Sequence, residues 1–118
     1  MRVECRAFDG RDVLSDLEDR GGDALVVLGT DACGACRRAR AVLAELSDAD
    51  VGGPGLLVAL VDAQHAMGLV HDWEVHHLPG MVLVRDGEPW ARVSAVLSKE
   101  ALGAAIRSAR VGPVDEGL

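Results

Sequence analysis

The chain has 118 residues, 49% of them hydrophobic and 26% charged, with a formal net charge of −7. That length suits one compact domain, and the apolar share excludes a disordered chain. Its 12 basic and 19 acidic residues argue against a phosphate-binding surface for nucleic acid, and no run approaches the ~18 apolar residues of a membrane span.

Met1 to Ala7 carries Arg2, Glu4 and Arg6 and no apolar core, so no secretory signal is visible and the expected compartment is the cytoplasm. Val3 to Phe8 alternates through Ala7, which predicts a half-buried strand with Val3, Cys5 and Ala7 on one face. On that face Cys5 reads as a buried, inert thiol. Asp9-Gly10 breaks the strand and opens a helix carrying Val13, Leu14 and Leu17, which Gly21-Gly22 ends. Ala24 to Leu28 is a short continuous apolar run, the mark of a strand covered on both faces.

From Cys33 onward, Cys36, Ala39, Val42, Leu43 and Leu46 recur at helical spacing. Ser47 to Gly55 reads as a polar loop, and Leu56 to Val61 as a second buried strand closing at Asp62. A helix is expected over Gln64–Trp73, stopped well before Pro79 and Gly80. Met81–Val84, Asp86-Gly87 and Pro89–Ala95 predict a hairpin, with Pro89 suited to an edge strand. Ser98 opens a last helix through Leu102, Ala105, Ile106 and Ala109, which Gly112-Pro113 stops. The expected division is one domain over 1–112 and a flexible tail over 113–118. No internal repeat or second domain is evident.

Chemistry concentrates at Cys33-Gly34-Ala35-Cys36. In a reducing compartment such a pair is catalytic or metal-binding more often than structural. A helix start leaves backbone N–H groups unpaired and carries roughly half a positive charge, which favours a thiolate. Cys33, at that end, is the expected nucleophile. Cys36, one turn in among apolar neighbours, is the expected resolving thiol that attacks the mixed disulfide. The bland reading, two cysteines paired by chance, fits poorly because the pair opens the helix instead of lying within it.

With these residues in view, the chain resembles the thioredoxin family over nearly its whole length. The resemblance rests on Ala24–Leu28 leading into Cys33 and Cys36, on Leu56–Val61 ending at Asp62, and on Leu78-Pro79 followed by strand, Asp86-Gly87-Glu88 and strand. Pro79 stands 43 residues after Cys36. The resemblance implies an α/β thioredoxin fold, β-α-β-α-β-α-β-β-α, with a mixed sheet of about five strands flanked by about four helices. It implies a cis peptide before Pro79, next to Cys33. It also implies a thiol–disulfide oxidoreductase that needs no cofactor. Its partner would be a protein disulfide or one dedicated redox protein, with a possible upstream reductase. Ala32, Gly34, Ala35, Leu78 and Pro79 would line the substrate groove.

The chain departs from the family pattern at four places. Ala32 replaces the usual Trp, Ala35 the usual Pro, and Val27 the buried Asp; Val58 falls where a Lys often accompanies that Asp. Losing the carboxylate should slow deprotonation of Cys36 or hand it to water or another group. Without Pro at 35, and with Arg37, Arg38 and Arg40 nearby, the dithiol is expected to be more oxidising than ordinary thioredoxins. The competing reading is a binding or chaperone-like module that uses the groove beside Pro79 without turnover. The missing Asp and Trp favour it; the intact dithiol opposes it.

The remaining residues weigh toward simpler roles. His65, His71, His76 and His77 join two cysteines in a small chain, which raises a Cys₂His₂ zinc site, but the finger spacing is missing. They read as solvated or hydrogen-bonding histidines with no metal, and His77 as a possible tuner of the thiols. Trp73 and Trp90 read as packing residues, and the three arginines as a solvated helix face.

Overall fold

The computed structural model describes residues 1–112; the segment 113–118, expected to be a tail, lies outside the described residues. Among the described residues, five strands and four α-helices follow one another as β1 (Glu4–Phe8), α1 (Val13–Arg20), β2 (Asp23–Gly29), α2 (Gly34–Glu45), β3 (Leu57–Asp62), α3 (Met67–Asp72), β4 (Gly80–Arg85), β5 (Glu88–Arg92) and α4 (Lys99–Val111). The strands form one sheet in the order β1-β3-β2-β4-β5. β3 pairs in parallel with both β1 and β2, β4 joins β2 antiparallel, and β5 joins β4 antiparallel. Among the described residues, no helix is long and apolar enough to cross a membrane.

Period-two alternation divides the core into two layers. Leu25, Val27, Val58 and Leu83 face α2 and α4, where Leu43, Leu102 and Ile106 meet them. Ala24, Val26, Leu28 and Val82 face the other way, onto Val13 and Leu17 of α1 and onto Trp73. Covered on both sides, β2 and β3 have no solvent face, hence their uninterrupted apolar sequences. Trp73 is buried in the second layer, as its packing role required.

Four expectations need correction. The helix over Gln64–Trp73 is split. The Asp62 carboxylate accepts the Gln64 N–H at 2.9 Å and caps a 3₁₀ turn over Ala63–His65. Ala66 then leaves helical geometry (φ −140°, ψ 38°) before α3 begins at Met67. Within Ser47–Gly55, a second 3₁₀ turn forms at Ala49–Val51. β5 stops at Arg92, earlier than Ala95, after a register shift between Leu83 and Val84. On β1 and its approach only Val3 is buried; Cys5 is half-buried and Ala7 exposed, because the sheet at the Ala7 end opens into a crevice instead of meeting helix.

The hairpin has left-handed backbone at Asp86 (φ 53°) and Gly87 (φ 84°), the two-residue geometry for which Asp-Gly is suited. At the same end of the sheet Asp23 holds Arg85 at 2.7 Å and Arg110 at 3.0 Å. Arg110 also donates to the carbonyls of Val51, Gly53 and Pro54. The Arg85 guanidinium lies 4.2 Å from the Trp90 ring centroid, and Trp90 donates to Ala109 O at 3.0 Å. These contacts clasp α4 to the sheet at the pole opposite the cysteine pair.

Candidate active site

β2 runs through the centre of the sheet and delivers the chain at Gly29 to a short loop, Thr30–Ala32, from which α2 rises. Cys33 is the N-cap of that helix, in extended backbone geometry (φ −88°, ψ 117°). A cysteine serves here because its sulfur takes the place of the usual Ser or Asp oxygen. The Cys36 N–H donates to Cys33 Sγ across 3.2 Å, and Arg37 N–H donates to Cys33 O at 3.1 Å. An orphan amide of the first turn is thereby satisfied by a sulfur, and best satisfied by a charged one.

The two thiols differ in environment. Cys33 is partly exposed, whereas Cys36 is only 2% exposed against the sheet. The Cys33 thiol is held below its ordinary range. The hydrogen bond from the Cys36 side chain contributes most, followed by the Cys36 backbone N–H and, more weakly, by the Ala35 N–H and the Arg37 charge. Burial, then the bond it makes to Cys33, pushes the Cys36 thiol up. The two sulfurs thus differ in how readily they ionise, Cys33 more so and Cys36 less so. Cys5 is half-buried, its thiol raised first by burial and then by Glu4, and it lies outside this arrangement.

Across from the pair, the Leu78–Pro79 peptide is cis. Leu78 O stands 3.9 Å from Cys33 Sγ, which donates to it when protonated. Leu78, Pro79 and Ala35 are half-buried beside the pair, and Ala32 and Gly34 are exposed along the same loop and helix start. These five residues and the two cysteines gather at one end of the sheet. His77 is different. It is exposed and lines, with Pro79 and Val93, a shallow groove; no hydrogen bond or ion pair joins it to either sulfur among the described residues. No three His, Cys, Asp or Glu side chains come together as a metal site among the described residues.

Two residues near the pair carried no distinct sequence signal. A Cβ on Gly29 would lie 2.9 Å from Cys36 Sγ, so only glycine lets α2 sit this close to β2. Arg40, one turn beyond Cys36, pairs with Asp31 at 3.1 Å and lines a crevice of about 250 Å³ that reaches Cys36. Arg37 is likewise turned back onto the loop, donating to Asp31 O at 2.7 Å.

The thioredoxin family model matches residues 10–108. Among solved structures, a single-site mutant of the thioredoxin from Halobacterium salinarum NRC-1 is 28% identical, with a TM-score of 0.70 over 89% of each chain. Thioredoxin NaTrxh from Nicotiana alata is 14% identical, with a TM-score of 0.61 over 80% of this chain and 83% of its own. The zinc-bound form of human ERp44 is 19% identical, with a TM-score of 0.68; the match covers 92% of this chain but only 30% of that one. The latter two are so distant in sequence that they speak to the fold alone. Among curated proteins none matches in sequence. With the family model spanning most of its length and a shared five-stranded architecture, the chain belongs to the thioredoxin family.

Proposed function

We propose that the protein is a thiol–disulfide oxidoreductase acting on protein disulfides. The observation that carries this reading is the Cys33 sulfur, partly exposed and accepting the Cys36 N–H at a helix start, with the second thiol buried one turn behind. Cys33 as thiolate attacks a substrate disulfide; one substrate sulfur leaves as thiolate and takes up a proton. Cys36, once deprotonated, attacks Cys33 Sγ. The Cys33–substrate bond breaks, the Cys33–Cys36 disulfide forms, and the substrate is released as a dithiol. Two electrons pass from the pair to the substrate, so no cofactor enters. A separate reductase, or a more reduced dithiol, restores the pair.

An extended substrate segment fits the side of the pair formed by Leu78 and Pro79, where backbone polar groups meet a half-buried apolar rim. The test is trapping with a defined disulfide-bonded peptide. Cys36→Ser should accumulate a Cys33-linked mixed disulfide by mass spectrometry, and Cys33→Ser should not. A chain that retains the peptide equally well with both cysteines replaced would instead be a non-turnover binding module.

A further inference from the structure

The first layer of the core is incomplete at one corner. Ala7, Leu60 and Val27 stand in one row across β1, β3 and β2, since Ala7 and Val27 both register with Leu60. They form the apolar floor of the crevice of about 250 Å³, whose inner wall is Cys36 and whose rim includes Arg40 and Asp31. Ala7 is exposed and Leu60 half-buried, so the helix does not close over this corner. The crevice therefore brings solvent up to Cys36, which lines it while staying only 2% exposed.

Proton removal from a buried thiol needs a route out and a field that favours the anion. Val27 offers neither a base nor a charge. On β3, Asp62 also lines the crevice, but its carboxylate caps the following turn through Gln64 N–H at 2.9 Å and lies 3.8 Å from the His65 ring. β1 contributes Ala7 and Phe8, which do not titrate. From the loop, Asp31 would disfavour a thiolate, yet its side chain is 98% exposed and held by Arg40. On α2 itself, Cys33 opposes a second negative charge and Arg40 favours it. We propose that Arg40 is a positioning residue for the resolving step, drawing the Cys36 proton out into crevice water by stabilising the thiolate, with Asp31 as the counter-charge that limits it. This rests on the oxidoreductase reading for its role in turnover, but the electrostatic claim stands on the crevice.

The resolving step then runs as follows. Cys36 loses its proton to crevice water and its thiolate attacks Cys33 Sγ. The bond from Cys33 to the substrate sulfur breaks, and that sulfur departs with the electron pair.

The test separates the two claims. In a Cys5→Ala, Cys33→Ser chain, the ultraviolet thiolate absorption of Cys36 is titrated directly. Arg40→Met should raise its midpoint by about one pH unit, Arg40→Lys should largely restore it, and Asp31→Asn should lower it. Ala7→Leu, at an exposed strand position that tolerates the change, should fill the crevice and raise the midpoint as well. Unchanged midpoints in Arg40→Met and in Ala7→Leu would overturn the proposal. In the chain retaining both active-site cysteines, release of thionitrobenzoate from a Cys33 mixed disulfide should slow about tenfold in Arg40→Met below the midpoint. Release that keeps its parental rate and pH profile would also overturn it. Failure of the parent chain itself to release would count against the oxidoreductase reading alone, because the direct titration does not depend on turnover.

Discussion

At the scale of single residues, the two cysteines are told apart by what surrounds each sulfur. Cys33 takes the place of a capping oxygen and is stabilised as an anion by the Cys36 thiol, by N–H groups and by Arg37. Because the folded chain lowers the pH at which Cys33 ionises, the thiolate persists where an ordinary thiol is protonated. Alkylation of Cys33 by iodoacetamide should therefore show a midpoint below the usual cysteine value of about 8.5. Arg37→Ala should move that midpoint up by a few tenths of a pH unit, since the arginine is exposed and its field is screened. His77→Ala should leave it in place, because the exposed imidazole lines the groove beside Pro79 and, among the described residues, makes no hydrogen bond or ion pair to the sulfur. The pair itself was legible in the sequence, as helix periodicity began at Cys33. Arg40 was visible only as one of three arginines, since spacing along a helix does not say which charge overlooks a gap in the opposing sheet.

At the scale of elements, the site depends on how closely α2 lies against β2. Gly29 ends the strand, and the space its missing side chain leaves is filled by Cys36 Sγ and Cβ. Gly29→Ala should push the helix start away or twist Cys36 from its rotamer. A destabilisation of about 1–3 kcal/mol by urea denaturation is expected, together with a change in the Cys36 titration. A stability equal to the parent would contradict the close approach. Strands such as β2 and β3 were legible because apolar runs of that length have one reading when both faces are covered. The segment after β3 was not, since the same apolar spacing that suggests a continuous helix is interrupted by a backbone cap from Asp62 and a non-helical Ala66. Ala7 was misassigned for a related reason. Alternation assigns a residue to a face, but only the partner layer decides whether that face is covered.

At the scale of the whole molecule, the cysteine pair and the main ionic cluster occupy opposite poles of the sheet. The Asp23–Arg85–Arg110 cluster ties α4, the β4–β5 hairpin and the loop before β3 to the start of β2. Burial alone would raise the Asp23 carboxyl, but hydrogen bonds from Arg85 and Arg110 outweigh it and hold the group below its ordinary value. A group depressed in the folded state contributes stability above its unfolded value, near pH ~3.9, and loses it as pH falls through the lower folded value. Thermal melts of the parent should therefore drop as the solution is acidified below about pH 4, whereas Asp23→Asn should be less stable at neutral pH and show a shallower acid decline. Parallel decline in both chains would remove Asp23 from the account. None of this cluster was apparent in the sequence, because its members lie up to 87 positions apart and meet only after the sheet is assembled.

The capping role of Cys33 ties the start of α2 to the oxidation state of the protein. A thiolate is the strongest acceptor the Cys36 amide can have, and a sulfur bound to another sulfur carries no charge to offer it. Joining Cys33 to Cys36 in a disulfide would therefore weaken the cap on the first turn of the helix that carries both cysteines.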